Sequence, residues 1–311
     1  MLIWSVFVQV LLPILVMFSG GWLLDRLCQL DLRTLVKINI HAIIPAFLFH
    51  TIVDSPLDAS LAGRVFAFSL TVILAMLGIS AVVGNLRGFR REETRALQLG
   101  TMFYNSGNYG IPLMSLAYPG TGPLLQIFIV LAQNIGMFTI GLLLASSARV
   151  TGWRAALPML RQPSLWSVAA ALTTRVFAWP VREVRWLWTP LEYFSNAYVC
   201  LALVTLGVQM SKVSERKNFA RIGWAIGLRL LGGPLLACAL VGIFGFQGEI
   251  AHIMILSASF PTAANTALVA HEFKADSDFA AATVFYSTLA SMLTVTAVVT
   301  LLRLPSIATI F

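Results

Sequence analysis

Two short stretches hold most of the chemistry this sequence offers. Asn105 to Pro112 reads NSGNYGIP and Ser257 to Asn265 reads SASFPTAAN, and both interrupt otherwise apolar runs with Gly, Pro, Asn and Ser. A proline removes a backbone donor and clashes with the preceding turn, and Gly107 with Gly110 lowers the cost of unwinding, so both stretches are poor continuous helix. Carbonyl and N–H groups come free there, next to the amides of Asn105, Asn108 and Asn265 and the hydroxyl of Thr262. One proline alone reads as a kink. Two, at matched positions with amides beside them, point to a binding site made by Asn105, Asn108, Gly110, Pro112, Pro261, Thr262 and Asn265.

The elements that position these stretches follow from composition. Of 311 residues only 11% are charged, where a soluble chain carries roughly 25%, and 58% are hydrophobic, with a mean hydropathy of +0.84. A bilayer crossing takes about 20 apolar residues. The apolar runs predict ten spans near 3–24, 34–53, 62–85, 96–117, 122–147, 163–180, 186–210, 222–246, 249–271 and 279–302. The expected fold class is an all-α membrane protein, with the lipid bilayer as its surroundings. Too little chain remains for an extramembrane domain, which excludes a soluble nucleotide-binding unit and a nucleic-acid partner. The N-terminal run has no basic flank and exceeds a signal-peptide core, so it reads as a span.

The net charge of +8 and pI near 9.9 fit basic loops that orient helices. The odd-numbered connections hold fifteen Lys and Arg, including Arg26, Arg90, Arg154, Arg216 and Lys274, whereas Arg64, Arg175, Arg182, Arg185 and Arg303 make five on the other side. Arg229 is left within a span, toward its end, with Arg175 in a similar place, and both are expected to reach the interface. The asymmetry predicts both termini outside the cytoplasm. Breaks five spans apart suggest two inverted halves, 1–147 and 163–311, joined by a short cytoplasmic linker at 148–162, with a substrate site near the midplane. Cys28, Cys200 and Cys238 are widely spaced and read as apolar fillers, with no metal site.

The motif Asn105-Ser-Gly-Asn-Tyr-Gly-Ile-Pro-Leu resembles the fourth-helix signature of the auxin efflux carrier family. Ser259-Phe-Pro-Thr-Ala-Ala-Asn-Thr, the later Ala281-Ala-Thr-Val-Phe-Tyr-Ser-Thr, and Ile43-Ile-Pro-Ala-Phe-Leu-Phe-His in the second span are similar to the same family. The resemblance implies a ten-helix fold like that of bile-acid sodium symporters, with helices four and nine crossing at their breaks, in a homodimer. It implies a bacterial inner-membrane carrier of small organic anions, and it matches Asn105, Pro112 and Pro261 to the family's crossover residues. Where plant members have a second proline, this chain has Asn265-Thr266. That departure favours small hydroxy- or dicarboxylates such as malonate or malate over an aromatic substrate.

Other polar residues have weaker claims. Lys37, His41 and Pro45 are spaced by four and share a face of the second span, which makes His41 and Lys37 candidates for gating or proton coupling. Gln133 and Asn134 in the fifth span and Asn196 in the seventh are candidate cavity residues. No organic cofactor is expected; a coupling ion, H+ or Na+, is left open. No phosphate-binding loop and no HExxH pattern occurs, and His41, His50, His252 and His271 are scattered, so an intramembrane enzyme is the weakest reading. A non-transporting membrane sensor on the same fold is the other alternative.

Overall fold

The computed structural model describes residues 2–55, 58–141, 160–212, 219–272 and 275–304. Its helices are α1 (Ile3–Cys28), α2 (Leu32–Asp54), α3 (Ala59–Leu86), α4 (Arg91–Met102), α5 (Ile111–Ala117) and α6 (Thr121–Gly136). After the linker, mostly outside the described residues, come α7 (Pro163–Val176), α8 (Arg185–Ser211), α9 (Ala220–Val241), α10 (Gly248–Ala258), α11 (Thr266–Glu272) and α12 (Ser277–Leu302). Six of these, α1, α2, α3, α8, α9 and α12, are each long and apolar enough to cross a membrane. The expected fourth and ninth spans fall short of that length because each stops at its Pro/Gly/Asn interruption.

Prolines leave a regular mark on the helices. Single π turns at Phe7–Leu11, Asn39–Ile43, Ser106–Gly110 and Leu228–Gly232 each end two residues before Pro13, Pro45, Pro112 and Pro234. A proline has no N–H for the preceding turn, and widening that turn relieves the clash with its carbonyl.

The arginines on the minority side of the charge tally have structural uses. Arg175 donates to the Ile52 carbonyl at 3.0 Å and to that of Ser55, and Arg182 bonds the Val53 carbonyl and pairs with Asp54 at 3.2 Å. Arg303 donates to Ala117 at 2.8 Å. Each guanidinium meets the carbonyls left over at the C-terminal end of α2 or α5, where the helix dipole is negative. Local capping thus accounts for three of the five charges that run against the expected pattern. At the start of α4, the backbone N–H of Arg90 donates to Glu93 Oε2 at 2.9 Å and Arg221 pairs with the same carboxylate. Burial pushes the Glu93 carboxyl up, but the Arg90 bonds and the Arg221 charge outweigh it and hold the group below its ordinary value.

Packing sorts the helices into two groups. In the first, α1 lies along α8 and α2 packs on α7 and α8; in the second, α3 packs on α4 and α6, while α12 packs on α11, α9 and α4. The α1–α8 contact is made by glycine. A Cβ at Gly21 would collide with the Val204 backbone, and one at Gly207 with the Phe18 backbone. Small residues at such a crossing let the backbones approach closely, which is how helices gain packing energy where lipid removes the hydrophobic drive.

Candidate functional site

The two interruptions are where helices end, and they meet. After Met102 the chain runs extended through Tyr104, and after Ala258 it runs through Thr262; the two residues form an antiparallel bridge. Asn105 N–H donates to the Pro261 carbonyl at 2.8 Å and Ala263 N–H to the Phe103 carbonyl at 3.0 Å. Each break thus satisfies part of the other's backbone, as the low-dielectric surroundings of a membrane demand.

Side chains from neighbouring helices satisfy more of it. Gln126 on α6 donates through Nε2 to the Ser106 carbonyl at 3.1 Å and accepts from the Ser257 hydroxyl at 2.7 Å, tying both breaks to one residue. Gln133, two turns further along α6, accepts from Tyr104 N–H at 3.3 Å. Ser287 on α12 accepts from Thr262 N–H at 3.1 Å, and the Thr262 hydroxyl donates to the Gly100 carbonyl at 2.7 Å. Gly110 is a packing glycine, because a Cβ there would strike the Phe260 ring and the Gln126 amide.

Beside the paired breaks lies a cavity of about 230 Å³ between the two helix groups. Tyr104 to Asn108 form one wall and Ala263 to Asn265 another; α2 contributes Asn39, α6 Gln133 and Asn134, and α8 Tyr198, Thr205 and Gln209. No charged side chain lines it among the described residues. Its polarity comes from amides and hydroxyls, and three of the amides keep a buried atom without a partner: Asn105 Nδ2, Gln133 Nε2 and Asn39 Oδ1. Asn105 is 6%, Gln133 4% and Asn39 3% exposed. Buried polar groups are ordinarily paired, so unpaired ones at a cavity are open valences for a ligand.

Of the residues expected at the site, Asn105, Asn108, Asn265, Gln133 and Asn134 line the cavity. Gly110, Pro112, Pro261 and Thr262 do not; they shape the breaks that present their neighbours. Lys37 and His41 are exposed on α2 away from the cavity, with His41 Nδ1 3.0 Å from the Lys37 carbonyl of its own helix, and Asn196 is exposed on α8. Asn39, Thr205 and Gln209 were not expected. Asn39 lies two residues from both Lys37 and His41, so it faces nearly the opposite side of α2, where its Nδ2 donates to Thr205 Oγ1 at 2.9 Å. The expected interfacial place of Arg229 is corrected: it is 0% exposed and bonded to the carbonyls of Thr101 and Ala258, because those helix ends need a cation more than the interface offers one. Asp25 on α1 is also buried, with Lys212 Nζ 2.9 Å from its carboxylate.

Comparison with known proteins bears on what the cavity is for. Residues 154–299 match the family described as "Membrane transport protein". Over that stretch the chain is similar to that family. The match agrees with the auxin efflux carrier resemblance carried by the break motifs, and with six helices long and apolar enough to cross a membrane it indicates an integral membrane protein. An "Uncharacterized transporter" of Methanothermobacter thermautotrophicus is 27% identical over 292 residues, covering 91% of this chain and 94% of its own. A "Putative malonate transporter" of Rhizobium meliloti is 24% identical over 315 residues, covering 94% of each chain. The family and relatives are named as transporters rather than enzymes. Among the described residues no group of three His, Cys, Asp or Glu gathers to hold a metal ion.

Proposed function

We propose that this chain is a secondary or facilitative carrier of small organic anions, mono- or dicarboxylates of the size of malonate or malate, working by alternating access around the cavity at the paired breaks. The observation that carries the reading is the set of buried, unpartnered N–H donors, Asn105 Nδ2 and Gln133 Nε2, in a cavity that no anionic side chain lines among the described residues. A carboxylate supplies acceptors to both, and a hydrogen bond to a charged acceptor is roughly twice as strong as a neutral one. The helical segment from Ser106 to Ala117 begins at the cavity, so the positive end of its dipole adds to the preference for an anion. The relative named for malonate lends support to that substrate class.

The same reading takes the chain as ten spans in two inverted halves, with broken helices four and nine crossing at the Tyr104–Thr262 pair. The α1, α2, α7, α8 group is the frame and the remaining helices are the moving body, in a homodimer of the bacterial inner membrane with both termini outside the cytoplasm. Purified protein in liposomes preloaded with unlabelled malonate is expected to accumulate labelled malonate by counterflow. Saturable binding without counterflow favours the sensor reading, and absence of both refutes the anion site.

A further inference from the structure

The Arg229 guanidinium lies where the two broken helices stop. α4 ends at Met102 and α10 at Ala258; Nη1 donates to the Thr101 carbonyl, Nη2 to the Ala258 carbonyl, and Cζ stands 4.8 Å from the centre of the Tyr104 ring. These carbonyls belong to the C-terminal ends of two helices, where the dipoles are negative. Two such ends directed at one point repel each other and attract a cation. In carriers built on broken helices, freed carbonyls and half-helix C-termini are the groups that coordinate a sodium ion.

Here the protein's own side chain fills that position. Arg229 is 0% exposed, and Gly233, one turn further along α9, makes room for it: a Cβ there would collide with both Nη2 and the Ala258 carbonyl. A guanidinium presents several N–H donors in a flat fork, so it can bond both helix ends at once while its face rests on an aromatic ring. Tyr104 carries that ring and also lines the cavity. The charge therefore acts on a ligand through the field behind Tyr104 and not by contact, which makes Arg229 a positioning residue.

We propose that Arg229 is a built-in cation that takes the place of a coupling sodium ion at the helix breaks, so that anion binding in this protein needs no sodium. The proposal rests on the carrier reading above. Because the guanidinium is covalently held, the breaks stay neutralised whether or not the cavity is filled, and the anion is the charge that moves.

The test is the thermal midpoint of purified protein in sodium chloride and in choline chloride at equal ionic strength, with and without malonate. Wild type is expected to give the same midpoint, and the same malonate shift, in both salts. Arg229→Gln should lose about 5 to 10 °C in choline and regain part of it in sodium chloride, since the vacated carbonyls then accept an ion; Arg229→Lys, which keeps the charge, should lose less and show no sodium response. A sodium-dependent midpoint or malonate shift in wild type overturns the proposal, as does an Arg229→Gln variant that ignores sodium. Should that variant fail to fold, wild type and Arg229→Lys decide between the same outcomes. If malonate shifts the midpoint in neither salt, the anion-site reading fails, while the unliganded salt comparison still decides the role of Arg229.

Discussion

The α1–α8 crossing and the paired breaks are two ways to hold helices together inside a membrane protein. At the crossing, Gly21 and Gly207 bring backbones into contact, with no room for a Cβ on either side. At the breaks, contact is polar: Gln126 reaches both, Arg229 joins their helix ends, and two strand-like hydrogen bonds link them directly. The first arrangement sets backbone against backbone and leaves no space at either glycine. The second leaves Asn105 Nδ2, Gln133 Nε2 and Asn39 Oδ1 unpaired at a cavity. Dry glycine packing suits a fixed frame, whereas a polar network with open valences suits a part whose contacts change when a substrate binds.

Substitutions that separate the two regions make the contrast quantitative. The largest effect is expected at the crossing, where Gly207→Leu has to push α1 away from α8 along its length. A loss of about 3 kcal/mol or more is expected, read as a fall in the thermal midpoint with or without malonate. Less is expected from Gln126→Leu, which fills the same space but strands the Ser106 carbonyl and the Ser257 hydroxyl. Two unsatisfied buried groups cost about 2 to 3 kcal/mol together. Because Gln126 supports the breaks that present the cavity, added malonate should recover less of the midpoint here than in Gly207→Leu, whose position does not line the cavity. Equal recovery in both variants would erase the distinction between frame and site.

The sequence made the breaks legible and left what surrounds them hidden, for identifiable reasons. Pro112, Pro261, Gly107 and Gly110 act on their own local backbone, so their effect could be read without knowing any neighbour. Asn105, Asn108 and Asn265 followed because they sit on the same stretches, and Gln133 and Asn134 because amides within an apolar run are conspicuous. Asn39 was hidden because spacing by four drew attention to Lys37 and His41, which mark the opposite side of α2. Arg229 was hidden by a sound rule misapplied: arginine in a span usually reaches for the interface, and only the meeting of two helix ends from distant parts of the chain gives it a buried use. Gly21 and Gly207 carry no signal in the sequence, since a close crossing exists only once both helices are placed.

The smallest expected change in stability belongs to Asn105, and it tests the central claim most directly. Asn105 Nδ2 bonds nothing in the unliganded protein, so Asn105→Ala should move the unliganded thermal midpoint by no more than about 2 °C. The same substitution removes a charge-assisted bond to a bound carboxylate, worth about 1.5 to 3 kcal/mol. Calorimetric titration of malonate into wild type and Asn105→Ala is therefore the decisive measurement. At least a tenfold loss of affinity, with stability unchanged, is the expected result; malonate binding to both proteins with equal affinity would contradict an anion site at the breaks.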